Sequence, residues 1–308
     1  MSKNQSSNSI LMVEPNHFEL NLQAVVDNHF MNTPKDASNV HDLAVKEFTD
    51  YYNEITSKGV KIELFKPKDG IETPDCLFPN NWFSTHAGWE VESGRNTLVL
   101  YPMCHLNRRL ERRSNIIEFL KNRVPDLDIV DLTDRENQGI YLEGTGSFVL
   151  DRIQRVAYIC ISQRSNQQLA EEWAKRLGYR LVYFTSVDSL GKIVYHTNVV
   201  MAICSGLAIV CLDSVSERRK ELEESLSKYH TVLPITQDQV SKFCGNVIEV
   251  RGNDDKKYLV CSQSSYDAFT PEQKELILKH VSGFIVKHIP TIQSVGGGGI
   301  RCMIAELF

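Results

Sequence analysis

Apolar residues along this chain fall into short continuous runs and into longer stretches with helical spacing. Residues 41–58 carry Leu43, Ala44, Phe48, Tyr51, Tyr52 and Ile55 on one helical face, with Gly59 placed to cap it. The same spacing predicts helices over 108–123, ahead of Pro125, over 165–177, ending at Gly178, over 217–229, and from Pro271 to about His280. The short runs predict strands at 10–13, 60–65, 97–101, 128–132, 148–150 and 156–162. Further strands are predicted at 181–185, 199–204, 207–212, 247–250, 258–261 and 284–287.

Between these elements one order recurs: a helix, a strand, a polar loop, then a pair of strands. The polar loops are 78–81, 142–146, 196–198, 245–246 and 296–302. They divide the chain into five units of roughly 60 residues whose sequences share no visible identity, so the repeat is one of element order alone. Five ββαβ-like units predict an α/β fold, a five-bladed propeller in which each unit offers its polar loop to a central channel. No Pro- or Ser-rich linker separates two halves, and residues 1–308 read as one domain. The polar, Ser/Asn-rich residues 1–9 read as a disordered start.

Composition narrows the class. The chain is 42% apolar and 24% charged, with net charge -5 and no basic run, which gives no footprint for nucleic acid. No apolar stretch reaches the ~20 residues of a membrane span, and the N-terminus lacks the apolar core of a signal peptide. The eight cysteines stand singly, without zinc-like spacing, and several lie in apolar runs such as 158–161 and 208–212. The chain therefore reads as cytoplasmic, with no metal and no organic cofactor. A homo-oligomer is left open.

Chemistry concentrates at the end of the sequence. Gly296-Gly297-Gly298-Gly299 abandons regular structure just before Arg301-Cys302, and the apolar Met303-Ile304-Ala305 follows. Glycines let a backbone approach a ligand closely and aim its N–H groups, and a neighbouring arginine favours the thiolate. Cys302 is thus the candidate nucleophile, and Gly299 a candidate backbone contact. A cysteine needs a partner base or cation. Among nine histidines, His196 opens an apolar strand and leads Thr197-Asn198. Glu143 lies at the foot of another strand, and Asn81 follows Phe78-Pro79-Asn80. Singly these read as a strand-end histidine, a turn glutamate and a turn amide. Together they occupy the same place in successive units, and Cys302 holds that place in the last.

Phe78-Pro79-Asn80-Asn81, Leu142-Glu143-Gly144-Thr145-Gly146, His196-Thr197-Asn198 and the glycine run before Cys302 resemble, in order, the motifs of the arginine deiminase and amidinotransferase superfamily, which has the pentein fold. The resemblance covers nearly the whole chain. It implies that Cys302 attacks a guanidino or ureido carbon, that His196 protonates departing ammonia and then activates water, and that Glu143 binds substrate nitrogens. It also implies a small-molecule partner, arginine, citrulline or a derivative. Where deiminases carry Asp, this chain has Asn81 and Asn198. Dihydrolases of the superfamily share the first asparagine, and Asp27-Asn28-His29-Phe30-Met31 loosely resembles their Ile-Asn-Pro-Trp-Met, which nominates Asn28. The motifs lie nearest to arginine dihydrolases and citrulline-utilisation hydrolases. An amidinotransferase and a non-catalytic binding pentein stay as alternatives. For the far end of a substrate the candidates are Arg301, Arg155 and Arg152.

Overall fold

Strand pairing repeats one plan in five sheets of the computed structural model, which describes residues 3–67 and 70–308. In the second sheet Thr97–Leu100 is central, with Phe83–His86 antiparallel on one side and Asp128–Asp131 parallel on the other. An antiparallel neighbour needs only a short connection, whereas a parallel one needs a crossover, and Ser114–Arg123 supplies a helix there. The third sheet repeats this with Phe148–Asp151, Val156–Cys160 and Arg180–Ser186, crossing over through Gln167–Leu177. The fourth uses Met201–Cys204, Leu207–Val210 and Thr231–Pro234. The fifth uses Ile248–Arg251, Lys257–Ser262 and Gly283–Lys287. The first sheet draws on both ends of the sequence. Its central Ser9–Val13 runs parallel to Lys61–Phe65 through the helix Val40–Ser57, and its antiparallel strand is Ala305–Glu306.

Central strands are covered on both faces, which is why they appear in the sequence as unbroken apolar runs; Leu207–Val210 is buried throughout. Crossover helices bury one stripe only. Val40–Ser57 turns Val40, Ala44, Phe48, Tyr51 and Ile55 inward, onto a core shared by Ile10 and Met12 of the first sheet and Val250, Val260 and Ile285 of the fifth. The antiparallel strand of the third sheet packs on that of the fourth, and that of the fourth on that of the fifth. Ala305–Glu306 packs on Phe83–His86 of the second. These contacts gather the turns that precede the antiparallel strands.

Three local expectations change. The helix foreseen over 108–123 is broken into Leu106–Arg109 and Ser114–Arg123. Arg108 turns inward to pair with Glu111 at 2.9 Å and to donate to the Phe78 carbonyl, while Arg112 pairs with Glu136, so ion pairs reinforce an intervening turn whose backbone bonds reach only three residues back, as from the Glu111 N–H to the Arg108 carbonyl. The first of the four glycines ends a helix, Pro290–Gly296, and Gly297 closes it in the left-handed conformation (φ +59°) that only glycine adopts cheaply. The N-terminal residues are ordered from the first described residues onward. Gln5 donates to the Leu150 carbonyl at 2.8 Å and accepts from the Arg152 N–H, and Ser7 donates to the Leu307 carbonyl. Their polar side chains supply backbone partners at the third and first sheets, a role that composition cannot distinguish from solvation. Met1 and Ser2 lie outside the described residues. Among the described residues no helix is long and apolar enough to cross a membrane.

Candidate active site

Each antiparallel strand is preceded by a tight turn, and these turns carry the chemistry. Pro79–Asn81 precedes the second sheet, Glu143 caps the short helix Gly144–Ser147 before the third, and His196 caps Thr197–Val199 before the fourth. Gly245-Asn246 precedes the fifth, and Cys302 sits in the turn Ile300–Met303 that leads back to the first. Gly146 is required by this crowding. A Cβ there would lie 2.5 Å from Asn81 Nδ2 and 2.7 Å from the His196 ring.

His196 Nε2 meets Glu143 Oε2 at 2.9 Å, and the other carboxylate oxygen accepts the Cys104 N–H at 3.0 Å. Asn81 Nδ2 stands 3.4 Å from His196 Nδ1. On the thiol side, Asn246 Nδ2 approaches Cys302 Sγ at 3.3 Å and Asn198 Nδ2 at 3.7 Å. Asn246 also donates to the backbone carbonyl of Asn198 at 2.9 Å, which ties the Asn246 amide to the turn that carries Asn198. Asn246 is the residue the sequence reading passed over. Its loop was noted, but an amide after a glycine carries no signal until the thiol is seen beside it.

Cys302, His196, Asn81 and Asn28 share the wall of one cavity of about 20 Å³, room for about one water. Of its other walls, Phe78, Gly296 and Gly298 belong to loops singled out in the sequence, whereas Asp75, Arg108, Arg164, Tyr195 and Ala24 were not foreseen. Asp75 is buried, and its Oδ1 has no hydrogen-bond partner. Arg164 stacks over the Tyr195 ring at 4.7 Å and pairs with Asp27. The arginines nominated from sequence lie elsewhere. Arg152 is bound to Glu90 at 2.8 Å, Arg155 is exposed opposite Glu92, and Arg301 donates to the Ile304 carbonyl. Gly299 is likewise displaced: it accepts the Cys302 N–H at 3.1 Å and leaves room for Asn246, whose Oδ1 a Cβ would meet at 2.5 Å. Asn198 contacts the thiol without lining the cavity. Asn28 donates to the Gly297 carbonyl at 3.3 Å.

Burial opposes every charge here, and partners decide which survive. Burial pushes the Cys302 thiol up, against the pull of the Asn246 amide and the Arg301 guanidinium. Burial likewise draws the His196 imidazole below its ordinary value, although Glu143 opposes the shift. For Glu143, burial alone raises the carboxyl; the Arg164 guanidinium and the His196 hydrogen bond outweigh it and hold the carboxyl well below the usual range. The sign for stability follows. Below about pH 6.5 an unfolded histidine takes up a proton that buried His196 resists, and below about pH 4.5 unfolded carboxylates protonate before Glu143 does. Both effects remove stability as pH falls. Burial raises the Glu111 carboxyl to about 7, which acts in the opposite sense over the same range, so the test is a difference between proteins: from pH 7 to pH 5 the melting temperature of His196→Asn should lose less, or gain more, than that of the wild type, and parallel profiles refute the assignment.

Known proteins were compared with this frame. No curated protein matches the chain. Among solved structures, the N-terminal domain of ArgZ, an arginine dihydrolase of the cyanobacterial ornithine-ammonia cycle, superposes with a TM-score of 0.72 at 19% identity, over 97% of each chain. The complex of AgrE with ornithine and NAD+ gives 0.74 at 17%, over 97% of this chain and 39% of that one. DDAH from Pseudomonas aeruginosa, a mutant complexed with citrulline, gives 0.65 at 15%, over 97% and 98%. This chain spans only 40% of full-length ArgZ. At such identities these likenesses establish the pentein fold. The eukaryotic N,N dimethylarginine dimethylhydrolase model, by contrast, matches residues 14–308, from the end of the first strand through the turn that carries Cys302. With all five turns inside that match, the chain belongs to the N,N dimethylarginine dimethylhydrolase family.

Proposed function

We propose that the protein is a cysteine hydrolase of an α-amino acid whose side chain ends in a ureido or guanidino group, with the neutral ureido group preferred. The observation that carries this reading is the charge inventory of one cavity and of the side chains directly behind its wall. At the reacting end, Cys302 is surrounded by the amides of Asn198 and Asn246, and His196 by that of Asn81. The single carboxylate there, Glu143, is already matched by His196 and Arg164. Amides both donate and accept, which suits a neutral C=O and NH2, whereas a guanidinium calls for unmatched anions. The other walls carry Asp75 and two guanidinium groups, complementary to the ammonium and carboxylate of an amino acid. The relatives fit this class: one solved neighbour holds citrulline, and others are titled arginine dihydrolases.

In the proposed reaction, Cys302 Sγ attacks the ureido carbon, its proton passes to the neutral His196 ring, and the Asn246 and Asn198 N–H groups stabilise the sulfur as that proton leaves. His196, held by Glu143, delivers a proton to the departing ammonia, leaving a thiocarbamate on Cys302. The histidine then removes a proton from water, which releases a carbamate, and the carbamate loses carbon dioxide to yield the amine. The cavity is too small for an amino acid as it stands, so the covering segment that carries Ala24 and Asn28 must part to admit one. Eight unpaired cysteines fit a reducing compartment, the cytoplasm.

The test is a panel of citrulline, arginine and dimethylarginine, with ammonia, carbon dioxide and amine measured. Citrulline should yield one ammonia and one carbon dioxide per molecule. Exclusive use of the cationic substrates overturns the ureido preference, and transfer of the group to added glycine without ammonia release overturns hydrolysis. Within this reading Asp75→Asn should raise KM for the amino acid about ten- to a hundredfold, the worth of one hydrogen bond to a charged group. An unchanged KM refutes the role given to Asp75.

A further inference from the structure

Beside the active site, three ligand types converge: the adjacent Cys104 and His105 meet Asp27 from a distant part of the sequence. One carboxylate oxygen of Asp27, the Cys104 sulfur and one ring nitrogen of His105 lie within 4.8 Å of one another. All three residues are part-exposed, and Cys104 is the one cysteine of the eight that is not buried. His105 Nε2 already points at Asp27 Oδ1, 3.3 Å away. We infer that Asp27, Cys104 and His105 form a binding site for a borderline-soft divalent cation such as Zn2+, and that its occupation holds the active site closed.

The geometry is close to what such an ion requires. Tetrahedral zinc with bonds of about 2.0–2.3 Å sets its ligands roughly 3.3–3.8 Å apart, so the cluster needs only small side-chain adjustments. The ion displaces the proton of Cys104 to solvent and takes Nε2 of a neutral His105 ring that carries its proton on Nδ1. A water completes the coordination. Arg164 is the counter-argument, because it pairs with the same carboxylate. A carboxylate offers about four lone-pair sites, however, and a bidentate guanidinium takes two. The lone pair of Oδ1 that faces His105 stays available. Nitrogen, sulfur and carboxylate oxygen together favour zinc over calcium or magnesium.

The link to catalysis runs through both sides of the cluster. Asp27 belongs to the covering segment, one residue before Asn28, which lines the cavity. Cys104 holds Glu143 through its backbone N–H, and Asp27 orients Arg164. Joining Asp27 to the 104–105 turn through an ion therefore ties the cover to the cavity wall. The effect on turnover rests on the reaction proposed above; the binding itself does not.

Both are tested separately. Co2+ is titrated into Cys302→Ser protein, so that the active-site thiol is absent, and thiolate-to-cobalt charge-transfer absorption is recorded. One equivalent should bind with that signature. Adding Cys104→Ser should abolish the band, and adding His105→Asn should weaken binding at least about a hundredfold, more than an outer-shell change produces. A band that needs Cys302, or that persists without Cys104, overturns the site. Ammonia release by protein with Cys302 intact should then fall on addition of Zn2+ and return with a chelator. In Cys104→Ser, whatever its own rate, that rate should be insensitive to Zn2+. Cobalt binding without inhibition by zinc overturns the closure. Absence of any turnover with cobalt still bound overturns the proposed reaction and leaves the site standing.

Discussion

Cys302→Ala should fold as the wild type does and lose ammonia release by on the order of 10⁴-fold or more, as removal of a covalent nucleophile does elsewhere. Alanine keeps the Cβ and deletes one buried sulfur atom. Asn246 Nδ2 keeps its bond to the backbone carbonyl of Asn198, and Asn198 Nδ2 its bond to the Thr145 carbonyl. The stability cost is therefore modest, within the ordinary range of about 0.5–3 kcal/mol. The buried thiols of Cys160 and Cys211 serve as the contrast, because neither lines the cavity. Serine at those positions should lower the melting temperature and spare turnover per folded molecule. Acid quenching of the wild type during turnover should trap, on the peptide that contains Cys302, an adduct with the mass of the substrate less one ammonia. A Cys302→Ala protein with near-normal turnover, or an adduct mapped to another cysteine, removes the nucleophile from the mechanism.

The element order was legible because both periods are clean. Central strands buried on two faces leave runs such as Leu207–Val210, and crossover helices leave stripes such as that of Val40–Ser57. The turn residues were legible for a different reason: Asn81, Glu143, His196 and Cys302 each stand just before an antiparallel strand, so order in the chain maps onto position around one cavity. What the sequence hid were side chains whose meaning depends on a distant neighbour. Arg108 lies in an apparently uniform charged helix, yet it turns inward because Glu111, Asp75 and the Phe78 carbonyl receive it. Asp75 and Arg164 belong to no periodic pattern at all. The Asp27–Cys104–His105 cluster joins residues with no ligand spacing along the chain. Arg152 erred the other way, since a buried guanidinium near a catalytic strand can be wholly engaged by a structural partner such as Glu90.

Asn81→Asp should invert the substrate preference, and it tests the charge argument more directly than any deletion. The change is isosteric, so the turn Pro79–Asn81 and the tight fit of Gly146 against it are retained. Two consequences follow from the new charge. A carboxylate cannot donate to a ureido oxygen as negative charge grows on it, and loss of one such preorganised donor typically costs ~3 kcal/mol, on the order of a hundredfold in rate. The same carboxylate, 3.4 Å from His196 at the present amide nitrogen, adds a second anion beside the imidazole and favours its protonated form. The acid limb of the pH-rate profile should therefore move upward, because the histidine must lose that proton again to activate water. A cationic guanidinium meets the opposite circumstances: it gains an ion pair at the reacting end, where Glu143 alone is already matched by Arg164. Citrulline turnover should fall by about two orders of magnitude while that of arginine is spared or rises, with ornithine, citrulline and ammonia resolved by mass spectrometry on both proteins. If the variant keeps the wild-type ratio of citrulline to arginine turnover, Asn81 does not set the charge of the reacting group, and the ureido preference loses its physical basis.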